Sequence, residues 1–198
     1  MCQSLFFIFL CPLFSSIALL YSESKGEVIS GNIIGALDGS IISQERPCDD
    51  RWQNTNHNGK EGRTAAKVAL IQFFNGLYGP CVVNAIGSAH DSQLASLLEL
   101  TKSMSHLDSS FVLIGDTAYG TSSHLVCPLS VTEQTPFSNE QLSHLATCSS
   151  FLSTLRVPSE WGIGALEKCF QILKVPLPAD DLALGKILWE VCLCLFNI

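Results

Sequence analysis

The chain has 198 residues, 47% of them hydrophobic and only 15% charged, a length that holds one domain and a composition too apolar for a disordered chain. Eleven Lys and Arg against 18 Asp and Glu leave a formal charge of -7, so the molecule as a whole repels polyanions and any nucleic-acid contact must come from a local basic patch. Nine cysteines are scattered without a CxxC pair or a paired His at ligand spacing. That pattern argues against a disulfide framework or zinc ribbon and reads as small buried hydrophobes in a reducing compartment, nuclear or cytoplasmic.

Residues 1–20 form an apolar N-terminal segment, and residues 21–198 the domain proper. The segment resembles a signal core, yet the first basic residue is Lys25, and Pro12 and Ser15-Ser16 interrupt the run short of the roughly 18–20 apolar residues a membrane span needs. A buried helix or irregular chain start is the expectation, with a secretory signal or anchor as the minority alternative and no stable membrane association. Residues 28–42 (VISGNIIGALDGSII) predict a buried strand ending near Asp38-Gly39. Residues 46–62 are polar and read as an exposed loop or hairpin. Residues 65–74 and 81–86 predict two strands of a meander joined through Asn75-Gly76 and Gly79-Pro80.

Leu94, Leu97 and Leu98 fall at helical spacing in residues 92–104, with Asp91-Ser92 as the N-cap signal. Residues 111–114 (FVLI) form a short apolar strand closed by Gly115-Asp116, and a loop with Cys127-Pro128 and Thr135-Pro136 follows. Helices are expected over 138–155 and 160–173, the latter with Trp161, Ala165, Leu166, Phe170 and Leu173 near one face. Asp180-Asp181 open a last apolar helix, 182–198. Strands first and helices later predict a mixed α/β layer fold.

Three acids, Asp38, Asp91 and Glu160, fall where predicted elements end or begin, and ligand sites in open α/β sheets lie beyond strand carboxyl ends. Clustered carboxylates repel one another unless a divalent cation compensates, and Mg²⁺ suits such oxygen ligands. Singly, each acid also reads as a helix cap or turn residue. His90, beside Asp91, reads as an orienting group, a phosphate contact or a structural hydrogen-bonding residue. Five of the eleven basic residues lie between Arg46 and Lys67. With Trp52 and His57 among them, Arg51, Lys60, Arg63 and Lys67 are candidates for DNA backbone contact; a solvated loop balanced by Glu45, Asp49, Asp50 and Glu61 is the alternative.

Four stretches occur in order: GNIIGALDGSII (31–42), GLYGPCVVNAIGSAHDSQL (76–94), LIGDTAYG (113–120) and SEWGIGALEKCFQILK (159–174). Together they resemble the catalytic domain of the DDE superfamily endonucleases, the PIF/Harbinger transposases and their domesticated relatives, over nearly the whole of 21–198. The resemblance implies an RNase H-like mixed sheet flanked by helices. It carries the first catalytic Asp onto Asp38 in its "DG" word, the second onto Asp91 in an "HDS" word, and the Glu onto Glu160 heading a helix. Those three would be catalytic and would hold two Mg²⁺ or Mn²⁺ ions for DNA phosphodiester hydrolysis or strand transfer, Asp38 bridging both. Asp116, in the GDTAY word, and His90 would support them.

The chain departs from the family pattern in several places. About 37 residues precede Asp38, where relatives carry a helical DNA-binding region of a hundred or more. Thr64-Ala65-Ala66 stands where relatives often have a His before Lys, and Leu195-Phe196-Asn197 where they read L-H-N. The helix after Glu160 keeps only Lys168 and Lys174 of the usual basic residues. The resulting expectation is a truncated endonuclease domain that binds DNA weakly alone and works with a separate DNA-binding protein. The alternative is a catalytically silent transposase remnant serving as a protein-interaction module.

Overall fold

The computed structural model describes residues 33–104, 111–128, 138–179 and 181–198. The apolar segment 1–20, the Thr135-Pro136 loop and Asp180 lie outside the described residues. The central strand is β1 (Ile33–Ser43), rich in β-branched residues and flanked on both sides. On one side it pairs antiparallel with β3 (Arg63–Phe73), which in turn pairs antiparallel with β4 (Tyr78–Ile86). This is the expected meander. Its turn uses Gly76 at φ +86°, and the Asn75 side-chain oxygen accepts from the Leu77 N–H at 3.0 Å. On the other side β1 runs parallel to β5 (Val112–Ile114), and β5 parallel to β6 (Leu125–Val126). A two-strand crossover onto an antiparallel meander gives the RNase H-like mixed sheet that the resemblance implies.

The sheet is buried on both faces, as the near-continuous apolar run of β3 requires. Ala69, Ile71 and Phe73 pack against α2 (Asp91–Leu97) and α3 (Leu100–Ser103). Val68 and Leu70 turn the other way, onto Ile163 and Leu166 of α4 (Asn139–Cys169) and Trp189 and Leu193 of α5 (Leu182–Phe196). Among the described residues no helix is long and apolar enough to cross a membrane.

Several elements differ from the sequence expectation, each for a physical reason. β1 continues to Ser43, so Asp38 lies in mid-strand and not at its end; the ladder partner Leu70 holds it there. Of the loop or hairpin expected over 46–62, the hairpin is present at its end, and a helix precedes it. Asp49 caps α1 (Asp50–Asn56), accepting from the Arg51 N–H at 2.8 Å, and β2 (His57–Asn58) then pairs with β3. The helix expected over 92–104 is split, because Glu99 takes a left-handed φ of 45° between α2 and α3. His90, not Asp91, occupies the N-cap of α2, and Asp91 is its first residue.

The largest difference is in the long helix. The expected helices 138–155 and 160–173 are one 31-residue helix with Pro158 inside it. A proline removes one intrahelical bond, but Leu155, Ser159, Gly162, Ile163 and Leu166 form one buried stripe across it. Tertiary burial carries the helix through the break. Glu160 is therefore interior to α4 and opens nothing. Gly162 allows the close approach of α4 to β3: a Cβ there would meet the Gln72 side-chain amide at 2.1 Å.

Candidate active site

The parallel register of β1 and β5 places Ala36 opposite Ile114. Asp38 follows two residues later within β1, and Asp116 two residues past the end of β5, so both carboxylates reach the same cleft. Ala36 and Ile42 pack beneath the α4 and α5 layer, and Asp38, at even spacing between them, faces that side too. Its Oδ1 accepts from the Gly39 N–H at 2.9 Å. Asp116 caps the 3-10 turn Thr117–Tyr119, accepting from the Thr117 N–H at 2.8 Å.

Above these two acids α4 presents Arg156 and Glu160, one turn apart and hence on one face. Arg156 Nη1 lies 3.4 Å from Asp116 Oδ1, and its Nη2 donates to Glu160 Oε1 at 3.1 Å. Burial pushes the Asp38 carboxyl above the usual carboxylate range. The Gly39 N–H and the Arg156 guanidinium oppose that shift, while the charges of Glu160 and Asp116 add to it. Asp38, Asp116, Glu160 and Arg156 thus form one electrostatic unit.

Asp38 and Asp116 also line an open cleft of about 650 Å³, whose far wall carries Asp91, His90 and Lys67. Lys67 donates to Asp91 Oδ1 at 3.0 Å and to the Ala89 carbonyl at 2.7 Å. The buried phenol of Tyr119 stands between the two walls: burial first, then the charges of Asp91, Asp38 and Asp116, raise its pKa. Gly39 makes room for it, since a Cβ there would sit 2.5 Å from the Tyr119 hydroxyl.

The candidate DNA-contacting residues divide. Lys60, Arg63 and Lys67 line the cleft. Arg51 instead sits on α1, 91% exposed and paired with Asp49 at 3.1 Å. Arg156 carries no motif in the sequence, and the resemblance implies only a supporting part for Asp116. The signal for Arg156 was its position four residues before Glu160, hidden by Pro158.

The donor set suits a hard divalent ion, being carboxylate oxygen throughout. Burial is the main cause of the raised Asp38 pKa, and the smaller contribution from the charges of Glu160 and Asp116 is what such an ion would relieve. As placed, no three Asp, Glu, His or Cys side chains among the described residues are grouped to hold an ion. Arg156 and Lys67 hold the carboxylates instead. The family model of the DDE superfamily endonucleases matches residues 37–197, and the chain belongs to that family. No curated protein and no solved structure matches the chain.

Proposed function

We propose that the chain is the catalytic domain of a Harbinger-type, divalent-metal-dependent DNA endonuclease, cutting or transferring phosphodiester bonds. Asp38, Asp116 and Glu160 would hold the ions, with Asp91 as a fourth carboxylate across the cleft. The observation that carries this reading is the convergence of charges: Asp116, just past the end of β5, and Glu160 on α4 both pair with Arg156, and all three act electrostatically on Asp38 in β1. Membership of the endonuclease family supplies the reaction class and points to DNA as substrate.

When bound, Mg²⁺ or Mn²⁺ supplies the activation of a water or 3′-hydroxyl and the stabilisation of the leaving oxygen. The protein's part is positional. Asp38 is fixed by the β1 ladder and its Gly39 hydrogen bond, so its donor oxygens are set before any ligand arrives. Lys60, Arg63 and Lys67 line the cleft, Arg63 paired with Glu61 and Lys67 with Asp91, so the phosphates of a strand lying in it would meet Lys60 directly and the other two in competition with those carboxylates. The overall charge of -7 keeps affinity low away from that cleft, consistent with a separate DNA-binding protein bringing the target. Cys127 and Cys192 are buried as expected, but Cys48, Cys148, Cys169 and Cys194 are exposed free thiols, which suit a reducing compartment, nuclear or cytoplasmic.

The test is nicking of a supercoiled plasmid by the purified chain in Mg²⁺, in Mn²⁺ and in chelator. Cleavage with either ion, lost in chelator and lost in a purified, folded Asp38→Asn variant, supports the reading. Cleavage undiminished in that variant removes Asp38 from the mechanism, and a folded wild-type chain inert under all conditions favours the silent remnant.

A further inference from the structure

We propose that Arg156 is a resident cation of the carboxylate cluster, released from Asp116 and Glu160 when a divalent ion binds and then free to take a substrate phosphate in the cleft. The inference rests on the metal-binding reading above and adds a residue and an order of events to it. Both terminal nitrogens of Arg156 are committed, one to Asp116 at 3.4 Å and the other to Glu160 at 3.1 Å. A guanidinium spanning two carboxylates does the electrostatic work of a metal ion, holding like charges together. It also spends the oxygens the ion would need, in keeping with the absence of a ready-grouped ligand set among the described residues.

The exposures indicate which partner yields. The Arg156 side chain is only 20% exposed, while Asp116 and Glu160 are each 52% exposed. The guanidinium is tucked beneath carboxylates that face solvent, so an incoming ion meets the acids first. Ion pairs of that exposure are weak and exchangeable. Arg156 also lines the 650 Å³ cleft, so once released it remains beside the space a nucleic-acid strand would occupy. There it offers the planar two-pronged donor that phosphate prefers.

The experiment is calorimetric Mn²⁺ titration of the full chain and of the Arg156→Gln, Asp38→Asn and Asp38→Asn/Arg156→Gln variants. Removing the competitor is expected to tighten Mn²⁺ binding about 3- to 10-fold, an effect lost when Asp38 is also replaced. Unchanged or weaker binding by Arg156→Gln, with wild type binding normally, overturns the inference while leaving the metal site standing. If neither protein shows Asp38-dependent Mn²⁺ binding, the metal reading and this inference fall together. A second measurement avoids any folding defect: on adding Mg²⁺ to wild type, the Arg156 guanidinium ¹⁵N resonance, assigned by its loss in Arg156→Lys, is expected to shift. A resonance unmoved at saturating Mg²⁺ overturns the proposal.

Discussion

The two walls of the cleft hold acid with base in different ways. Lys67 lies on β3, with a side chain only 17% exposed, and divides its donors between Asp91 and the Ala89 backbone carbonyl. It ties the start of α2 to the sheet. Arg156 lies on α4 and is about as shielded, at 20% exposed, but it is held by side-chain carboxylates that are 52% exposed against 36% for Asp91. The Lys67 pair is anchored to backbone and can serve as a fixed wall, whereas the Arg156 pairs can exchange partners. The difference teaches where ligands enter: the exchangeable side, where Asp38 and Asp116 also converge.

Substitutions that remove one ligand charge at constant size test this division most strongly. Asp38→Asn, Asp116→Asn and Glu160→Gln are each expected to lower divalent-dependent plasmid nicking by about a thousandfold, several kcal/mol of transition-state stabilisation being what a metal supplies. Asp91→Asn, on the fixed wall, is expected to cost about 10- to 100-fold, the range of a group acting through its neighbours. Single-turnover rates would reverse the comparison if Asp91→Asn were the more damaging and Asp116→Asn near wild type.

Tyr119 joins the two walls, and Gly39 is its seat. Gly39→Ala places a Cβ 2.5 Å from the Tyr119 hydroxyl and 3.3 Å from the Val68 carbonyl. Overpacking of this kind costs about 1–3 kcal/mol, measured as a lower urea midpoint. Adding Tyr119→Phe removes the clashing oxygen and is expected to restore part of the loss. A double variant no more stable than Gly39→Ala would place the strain elsewhere.

The raised pKa of Asp38 makes it a stability cost at neutral pH. The folded state binds its proton more tightly than the unfolded state, so stability falls as pH rises from the unfolded value of 3.8 through the folded one. Asp38→Asn is therefore expected to be more stable than wild type at pH 7 by about 1 kcal/mol, the usual scale of a site-for-stability exchange. The gain should vanish as pH falls below about 4. Thermal melts across that range check the sign, and a variant less stable than wild type at pH 7 would contradict it.

The smallest effect concerns DNA. Lys60→Ala, in the cleft lining, is expected to reduce the slope of log K against log salt by about one, and Arg51→Ala, off the cleft, to leave it unchanged. Equal slopes for the two variants would mean that the strand does not follow the cleft.

Much of the sheet was readable because its signals are local. Asn75-Gly76 marks the hairpin, the FVLI run gives β5, and Asp181 caps α5, accepting from the Leu184 N–H at 2.9 Å. What escaped depends on contacts distant in sequence. The two residues of β6 exist only through pairing with β5. Pro158 is a strong local stop, and the buried stripe that overrides it is visible only once β1 and β3 are underneath. Breaking the helix there separated Arg156 from Glu160 and hid the cation of the site. Asp91 and Asp116 both line the cleft, and what sets Asp116 beside Glu160 is the Arg156 bridge, a contact between elements distant in sequence.

The contact between Gly162 and Gln72 acts as a depth stop for the active site. Glu160 is two positions away on the same helix, about 3 Å along its axis, so the closeness of α4 to β3 at this point sets how far the carboxylate hangs over Asp38. A methyl group at 162 would need the space occupied by the Gln72 amide; where that side chain does not swing aside, Arg156 and Glu160 are lifted together. Misplacement of about 1 Å costs on the order of a hundredfold in rate. A glycine that touches no ligand thereby calibrates the reach of the residues that do.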